Sequence, residues 1–498
     1  MTARPALQAG LVALLVGSAV QWWAHQADLV LAFWDAQAHL DIARRVWDST
    51  TPGIQMLGTV WLPIPHLLYL PLTLVDSWWW NGLAGGLVGL MAFVATAMAT
   101  FAIVRRHTEG TRWAWVAALA VILNPSLAYL QTTAMTEPIL LAFLTGSVWA
   151  IDRWSADREK PRTLWLAGLL AAFAVGSRYD GWFFAAVAAL AILWRARRLS
   201  PAVQFSLPVG AMVLAWVGYN AFYFGDPLEF QRGIWSAESQ QAALAAANLL
   251  PTKGAPALAA WYYAGAVGLT VGVALGALGL ALLVPAASGR ARLALLLLWC
   301  AVPFNWLALV AGQSVIALPW TIPEGVLNVR YGIMVLPAVA ATVALGAARL
   351  SSRWGDTSRH VALACAVMVA AQSGWMVAGG GKRVGAVREG LAIRDGDIAQ
   401  MNASRWLAAN YDRGRILVAP AVNVSPRTRI PMRDRIYPWT WEIGPAALAA
   451  PSMHVDWVLV DRRAANDPVT RALGALPDFA RGFDRVFTER ELEIWRRR

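Results

Sequence analysis

Long uncharged apolar runs recur along most of this 498-residue chain, and they decide its fold class before any motif is weighed. A run of 18 or more apolar residues fits the hydrocarbon core of a bilayer as a helix, because a helix satisfies its own backbone polar groups there. Charged residues make up 14% of the chain and hydrophobic ones 58%. A soluble globular chain carries about 25% charged residues, so an ordinary soluble enzyme is excluded. The formal net charge of +12 invites a nucleic-acid reading. That reading fails on distribution: the basic residues sit in short clusters between apolar runs, as positive-inside topology signals do, and no nucleic-acid partner is expected. Leu7 to Trp23 ends in Gln21-Trp22-Trp23, an interfacial anchor, and lacks a small-residue cleavage site, so it reads as an uncleaved first span. Cys300 and Cys365 fall inside apolar runs as small core residues, with no disulfide or thiolate metal site expected.

The basic clusters orient the chain. They are Arg105, Arg106 and Arg112; Arg153, Arg158, Lys160 and Arg162; Arg195, Arg197 and Arg198; Arg290 and Arg292; and Arg349, Arg353 and Arg359. With all of them in the cytoplasm, the spans between them come in pairs: 113–130 with 136–151, 164–177 with 182–194, 202–222 with 263–284, and 293–311 with 331–348. Adding 7–24, 81–104 and 361–378 makes about eleven spans, with the N-terminus cytoplasmic and the C-terminus outside. The expected architecture is an all-α polytopic domain over 1–380 of a plasma (inner) membrane protein, with long outer loops at 25–80, 223–262 and 312–330. A small extracytoplasmic α/β domain follows over 381–498. Within it, Asp397 to Asn410 reads as a capped helix, Ile416–Ala419 and Val455–Val460 as strands, Asp467-Pro468 as a helix start, and Phe487 with Leu492–Trp495 as a closing hairpin. It carries no catalytic motif.

The 31-residue stretch 164–194 is too short for two full spans. Its arms would reach only ~23 Å, against ~30 Å for the hydrocarbon core. The tip, Arg178-Tyr179-Asp180-Gly181, therefore sits at membrane depth. An Arg and an Asp there are costly and mark functional sites; the alternative is a purely structural Arg–Asp pair.

After the first span comes Phe33-Trp34-Asp35-Ala36-Gln37-Ala38-His39-Leu40-Asp41-Ile42-Ala43-Arg44-Arg45. Asp35 suits a helix N-cap, with His39 at i+4 on the same face. Asp41 lies about 240° further round and is expected to pair with Arg44 or Arg45. For Asp35 the alternative is capping and a helix-dipole interaction alone.

This stretch resembles the start of the GT-C glycosyltransferases, specifically the protein O-mannosyltransferase and aminoarabinose-transferase branch. Those enzymes carry Asp-Glu, then Tyr, then Ile-Ala-Arg just after the first span. Here Asp35 matches the Asp, Ala36 replaces the Glu, His39 replaces the Tyr, and Ile42-Ala43-Arg44 matches. Pro65-His66-Leu67-Leu68-Tyr69 stands where those families have Lys-Pro-Pro-Leu-Leu-Tyr, with Ile64 in place of the Lys. Met135-Thr136-Glu137-Pro138 resembles their Thr-Glu-Pro, Phe224-Gly225-Asp226-Pro227 the loop after the seventh span, and Arg330-Tyr331 with Pro337 the Arg-Tyr element opening a late span.

The resemblance implies a GT-C-like fold and transfer of a sugar from a polyprenyl-phosphate donor, with inversion, to an acceptor outside the cytoplasm. It implies Asp35 as general base for the acceptor hydroxyl. Arg330, with Tyr331, and then Arg178 are the candidates for stabilising the leaving phosphate. His39, His66, Glu137 and Asp180 are further site candidates. Some relatives use a divalent cation; no His/Asp spacing here demands one. The acceptor, whether glycan, lipid or protein, and the sugar are not named by the residues. A transporter or flippase for an envelope lipid is the alternative class, disfavoured by the lack of an internal repeat. A non-catalytic scaffold is a third.

Overall fold

The computed structural model describes residues 4–156, 161–233, 236–352, 357–464, 466–475 and 479–498; Arg158, Lys160 and Arg353 of the basic clusters lie outside them. The chain forms two compact units: Met1–Leu29 with Thr59–Pro65 and Gly85–Gly390, and Val30–Gly58 with His66–Ala84 and Leu391–Arg498.

In the first unit, every apolar segment expected to span is helical. Among the described residues, six helices are long and apolar enough to cross a bilayer: Arg4–Gln26, Leu83–His107, Leu199–Phe224, Arg292–Val310, Val329–Ser351 and Thr357–Ala378. Pro256–Thr270 and Val273–Ala281, bent by 117° at their junction, make a seventh if counted as one. The chain is a multi-pass membrane protein. Other expected spans are shorter or broken. Segment 113–130 is cut into Arg112–Ile122 and Pro125–Leu130, because Asn124 caps a new helix, accepting from Leu127 N at 2.9 Å, and Pro125 takes its first position. The short hairpin consists of Pro161–Val175 and Tyr179–Ala196, roughly 22 and 27 Å long. Its return needs Gly181, where a Cβ would lie 2.3 Å from the Ala174 carbonyl oxygen.

Leu336–Ser351 is buried along nearly its whole length and packs against Arg112–Ile122 and Leu283–Ala287. Its many Ala residues and Gly346 let those backbones approach closely. Leu199–Phe224 and Thr357–Ala378 instead bury few of their residues, as lipid-facing helices do. A 3-10 turn, Val329–Val335, seats directly on Pro256–Thr270. Gly332 makes the contact possible: a Cβ there would lie 2.4 Å from the Ala266 carbonyl carbon.

The second unit holds a five-stranded sheet of order β2-β1-β3-β5-β4, with β1 Ile416–Val418, β2 Arg435–Ile436, β3 Trp457–Asp461, β4 Phe483–Glu489 and β5 Leu492–Arg497. β1 runs parallel to β2 and β3, while β5 runs antiparallel to β3 and β4. β1 and β3 are continuously buried, as central strands covered on both faces are. The expected helix starts are present. Asp397 caps Ile398–Asn410, accepting from Gln400 N at 3.3 Å, and Asp467 opens Pro468–Ala475, accepting from Val469 N at 2.8 Å.

Most of the first outer loop folds within this second unit, whereas the sequence groups it with the spans. Arg435, fully buried on β2, donates to Asp41 Oδ2 at 2.9 Å and to the Val424 carbonyl at 2.8 Å. Asp41 Oδ1 accepts from Trp79 Nε1 at 2.9 Å. Asp48 accepts from Arg433 Nη1 and from Arg44 Nε, each at 2.9 Å. The expected pairing of Asp41 with Arg44 or Arg45 is thus replaced. Arg44 is drawn to Asp48 and Asp76, and Arg45 donates to the Met56 carbonyl, so Asp41 falls to Arg435. Burial pushes the Asp41 carboxyl above the usual carboxylate range, with Arg435 and the Trp79 N–H pulling it back.

Candidate active site

The first unit gathers five of the sequence candidates. Glu137 opens the helix Glu137–Ala156, Arg178 and Asp180 stand at the hairpin tip, and Arg330 and Tyr331 lie on the 3-10 turn. Glu137 Oε1 accepts from both arginines, from Arg178 Nη1 at 3.1 Å and from Arg330 Nε at 3.2 Å. Arg178 Nε also donates to Asp180 Oδ2 at 3.2 Å, and its Nη1 to Thr136 Oγ1 at 3.1 Å. Both guanidiniums lie over the Tyr331 ring, 5.1 and 5.2 Å from its centroid, within cation–π range. Arg330 is 4% exposed and Glu137 fully buried, so these charges act in a poorly screened medium. Among the described residues, Arg178 Nη2 donates to no protein group.

A sixth member, Glu389, escaped the sequence reading. It lies on the helix Gly385–Gly396, past the last apolar run. Its Oε1 accepts from Asn328 N at 2.9 Å and from Arg330 Nη1, and its Oε2 from Arg330 N at 3.1 Å. The one signal in the sequence was indirect: an arginine that is to be buried demands a counter-charge. Nothing local to Arg330 names which carboxylate supplies it. The three carboxylates Glu137, Asp180 and Glu389 outnumber the two guanidiniums by one formal negative charge. Glu137 Oε2 and Asp180 Oδ1 are buried and accept no hydrogen bond among the described residues.

The other candidates belong to the second unit. Asp35 lies in the first turn of Trp34–Arg45, and the N-cap is Phe33. The expected capping role is therefore not made; the helix starts two residues earlier, and Asp35 sits where the dipole favours a carboxylate. His39 and His66, both buried, share a hydrogen bond of 2.9 Å between Nδ1 of the first and Nε2 of the second. Burial, with the His39 ring and Arg45 nearby, holds the His66 imidazole well below the usual histidine range. Among the described residues no three His, Cys, Asp or Glu side chains are placed to hold a metal ion.

Known proteins share parts of this architecture. Residues 86–226 match the family model of the dolichyl-phosphate-mannose-protein mannosyltransferases. No curated protein sequence matches the chain. Among solved structures, ArnT from Cupriavidus metallidurans bound to undecaprenyl phosphate is similar, with a TM-score of 0.61, 13% identity and 97% of each chain covered. Its apo state gives 0.57 and 12%, over 96% of this chain and 98% of that one. An oligosaccharyltransferase from Archaeoglobus fulgidus gives 0.48 and 13%, over 91% of this chain and 68% of that one. The resemblance to the protein O-mannosyltransferase and aminoarabinose-transferase branch is thus borne out: the chain has the GT-C-like fold of ArnT and carries a segment that matches the mannosyltransferase family model.

Proposed function

We propose that this chain is an inner-membrane glycosyltransferase that passes a hexosyl or pentosyl group from a polyprenyl-phosphate donor to an acceptor outside the cytoplasm, with inversion. The N-terminus is cytoplasmic and the second unit extracytoplasmic in this reading, as the basic clusters indicate. Asp35 takes the proton of the acceptor hydroxyl as that oxygen bonds to the anomeric carbon. The bond from that carbon to the phosphate oxygen breaks, and its electron pair leaves on the lipid phosphate. Arg178 and Arg330, with Tyr331, face the charge that grows there. His39 and His66 order the helix that bears Asp35, and Glu137 and Asp180 hold the arginines.

One observation carries this reading: two guanidiniums share one buried carboxylate oxygen and one tyrosine ring, and Arg178 Nη2 is uncommitted among the described residues. A buried pair of fixed donors is the arrangement that stabilises a leaving phosphate. The test is transfer of labelled sugar from a panel of polyprenyl-phosphate donors to envelope extracts, using purified protein in proteoliposomes. Asp35→Asn is expected to lower transfer by about 10²–10⁴-fold while the protein still inserts. Full activity in that variant rules out Asp35 as the base.

A further inference from the structure

Arg330 reaches its place through a turn that cannot hold itself. Val329–Val335 begins after Asn328, whose backbone is left-handed (φ +55°), and the Asn328 side chain makes no cap; its amide donates instead to the Val315 carbonyl at 2.8 Å. The free N–H groups at the start of such a turn need an acceptor from elsewhere. Glu389 supplies it. One carboxylate takes Asn328 N, Arg330 N and Arg330 Nη1 together. The residue is fully buried, and the small residues Gly385, Ala386 and Gly390 around it let its helix approach, with Gly385 against the Leu269 carbonyl and Gly390 against the Tyr129 hydroxyl.

Glu389 therefore fixes both ends of Arg330, its backbone and its guanidinium. It also sets a second carboxylate against an arginine that Glu137 already contacts. A guanidinium so compensated holds an incoming phosphate more loosely than a bare one would. An enzyme that must release a lipid phosphate after every turnover gains from that, because binding donor and product phosphates equally tightly raises no rate.

We propose that Glu389 is a positioning residue for Arg330 and the counter-charge that keeps Arg330 from retaining the polyprenyl-phosphate product. This rests on the reading of Arg330 as a phosphate contact. Removing the charge then has an outcome opposite in sign to ordinary structural damage: product phosphate binds more tightly while turnover falls.

The experiment titrates full-length protein in detergent with undecaprenyl phosphate and, separately, with uncharged undecaprenol, following tryptophan fluorescence. Glu389→Gln is expected to bind the phosphate about tenfold more tightly, the scale of losing one like charge a few ångströms away in a partly screened site, with undecaprenol unchanged. Weaker or unchanged phosphate binding by a folded Glu389→Gln overturns the inference. Should that variant not accumulate, Glu389→Asp carries the test. One methylene shorter, it cannot reach all three donors, and phosphate affinity rises about two- to fivefold; no rise overturns the inference. Arg330→Gln, which removes the cation that a lysine would keep, separates the two readings. If it keeps the wild-type preference for phosphate over undecaprenol, Arg330 is not the phosphate contact, and the underlying assignment fails, whatever Glu389 does.

Discussion

Replacing Asp41 by Asn should loosen the second unit far more than a change of one loop side chain ordinarily does. The Arg435 side chain has no exposed surface, and its ionic partner is Asp41, at 2.9 Å. Its other contacts are the carbonyls of Val424, Ile430 and Ser425 and the face of Trp79. A neutral amide in place of the carboxylate would leave a buried guanidinium with no counter-charge, a loss of about 3–5 kcal/mol. The unit holds roughly 150 residues, for which each kcal/mol moves the melting temperature by about 2–4 °C. The expected shift is then about 6–20 °C. Tryptophan fluorescence during heating can follow it, because Trp79 stacks on both Arg435 and Arg44. Limited proteolysis of the first loop should quicken in parallel. Asp41→Leu combined with Arg435→Met removes both charges and should cost less than the two single changes added, by about 2–3 kcal/mol. A melting shift below about 2 °C for Asp41→Asn, or strict additivity in the pair, would refute the view that this ion pair ties the loop to the sheet.

Two other outcomes follow from the same treatment of buried charge. Glu137→Gln leaves each arginine its own carboxylate, Asp180 for Arg178 and Glu389 for Arg330, so the fold should persist with a loss of about 1–3 kcal/mol from the unsatisfied amide, read as a drop in melting temperature. His66 is held neutral in the fold but protonates near pH 6.5 once unfolded. Its folded pKa is depressed, so the unfolded chain binds more protons and stability falls as pH drops below about 6.5, by up to about 1.4 kcal/mol per pH unit. Melting at pH 7.5 and 5.5 measures this, and His66→Gln should flatten the difference.

How far the sequence reaches depends on whether a feature is written locally. Apolar periodicity spans one element, so each expected membrane segment is helical, and Asp467-Pro468 opens a helix where expected. The tip at Arg178 and Asp180 stood out because an unusually short hairpin and two opposite charges coincide in one stretch, and the two side chains do pair, at 3.2 Å. Broken spans were harder: Asn124-Pro125 is a start signal sitting inside an uninterrupted apolar run, where hydropathy outvotes it. Partner choice over long separations was not legible at all. Asp41 has two arginines within four residues, yet it bonds to one 394 residues away. Glu389 lies where the composition turns polar and Arg-rich, in the stretch assigned to the C-terminal domain, and its three donors come from a turn some 60 residues earlier. Two-residue β2 is likewise too short to carry a periodic signal.

The discontinuous make-up of the second unit also has a consequence in time. Its first segments end at Ala84 and its last begins at Leu391, so the ribosome must add roughly 300 residues in between. At about 5–20 residues per second that takes roughly 15–60 s. Through that interval Trp79 and Trp80 have emerged while Arg435 and Arg429, which lie over their rings, have not yet been made. Nascent chains halted before residue 391 would carry the first loop as an unfinished half-domain, and a separately expressed 391–498 fragment would lack the carboxylates that Arg433 and Arg435 need. Assembly of the second unit is therefore closed by residues made long after its first segments, and quality control during synthesis has a long window in which to act on those segments.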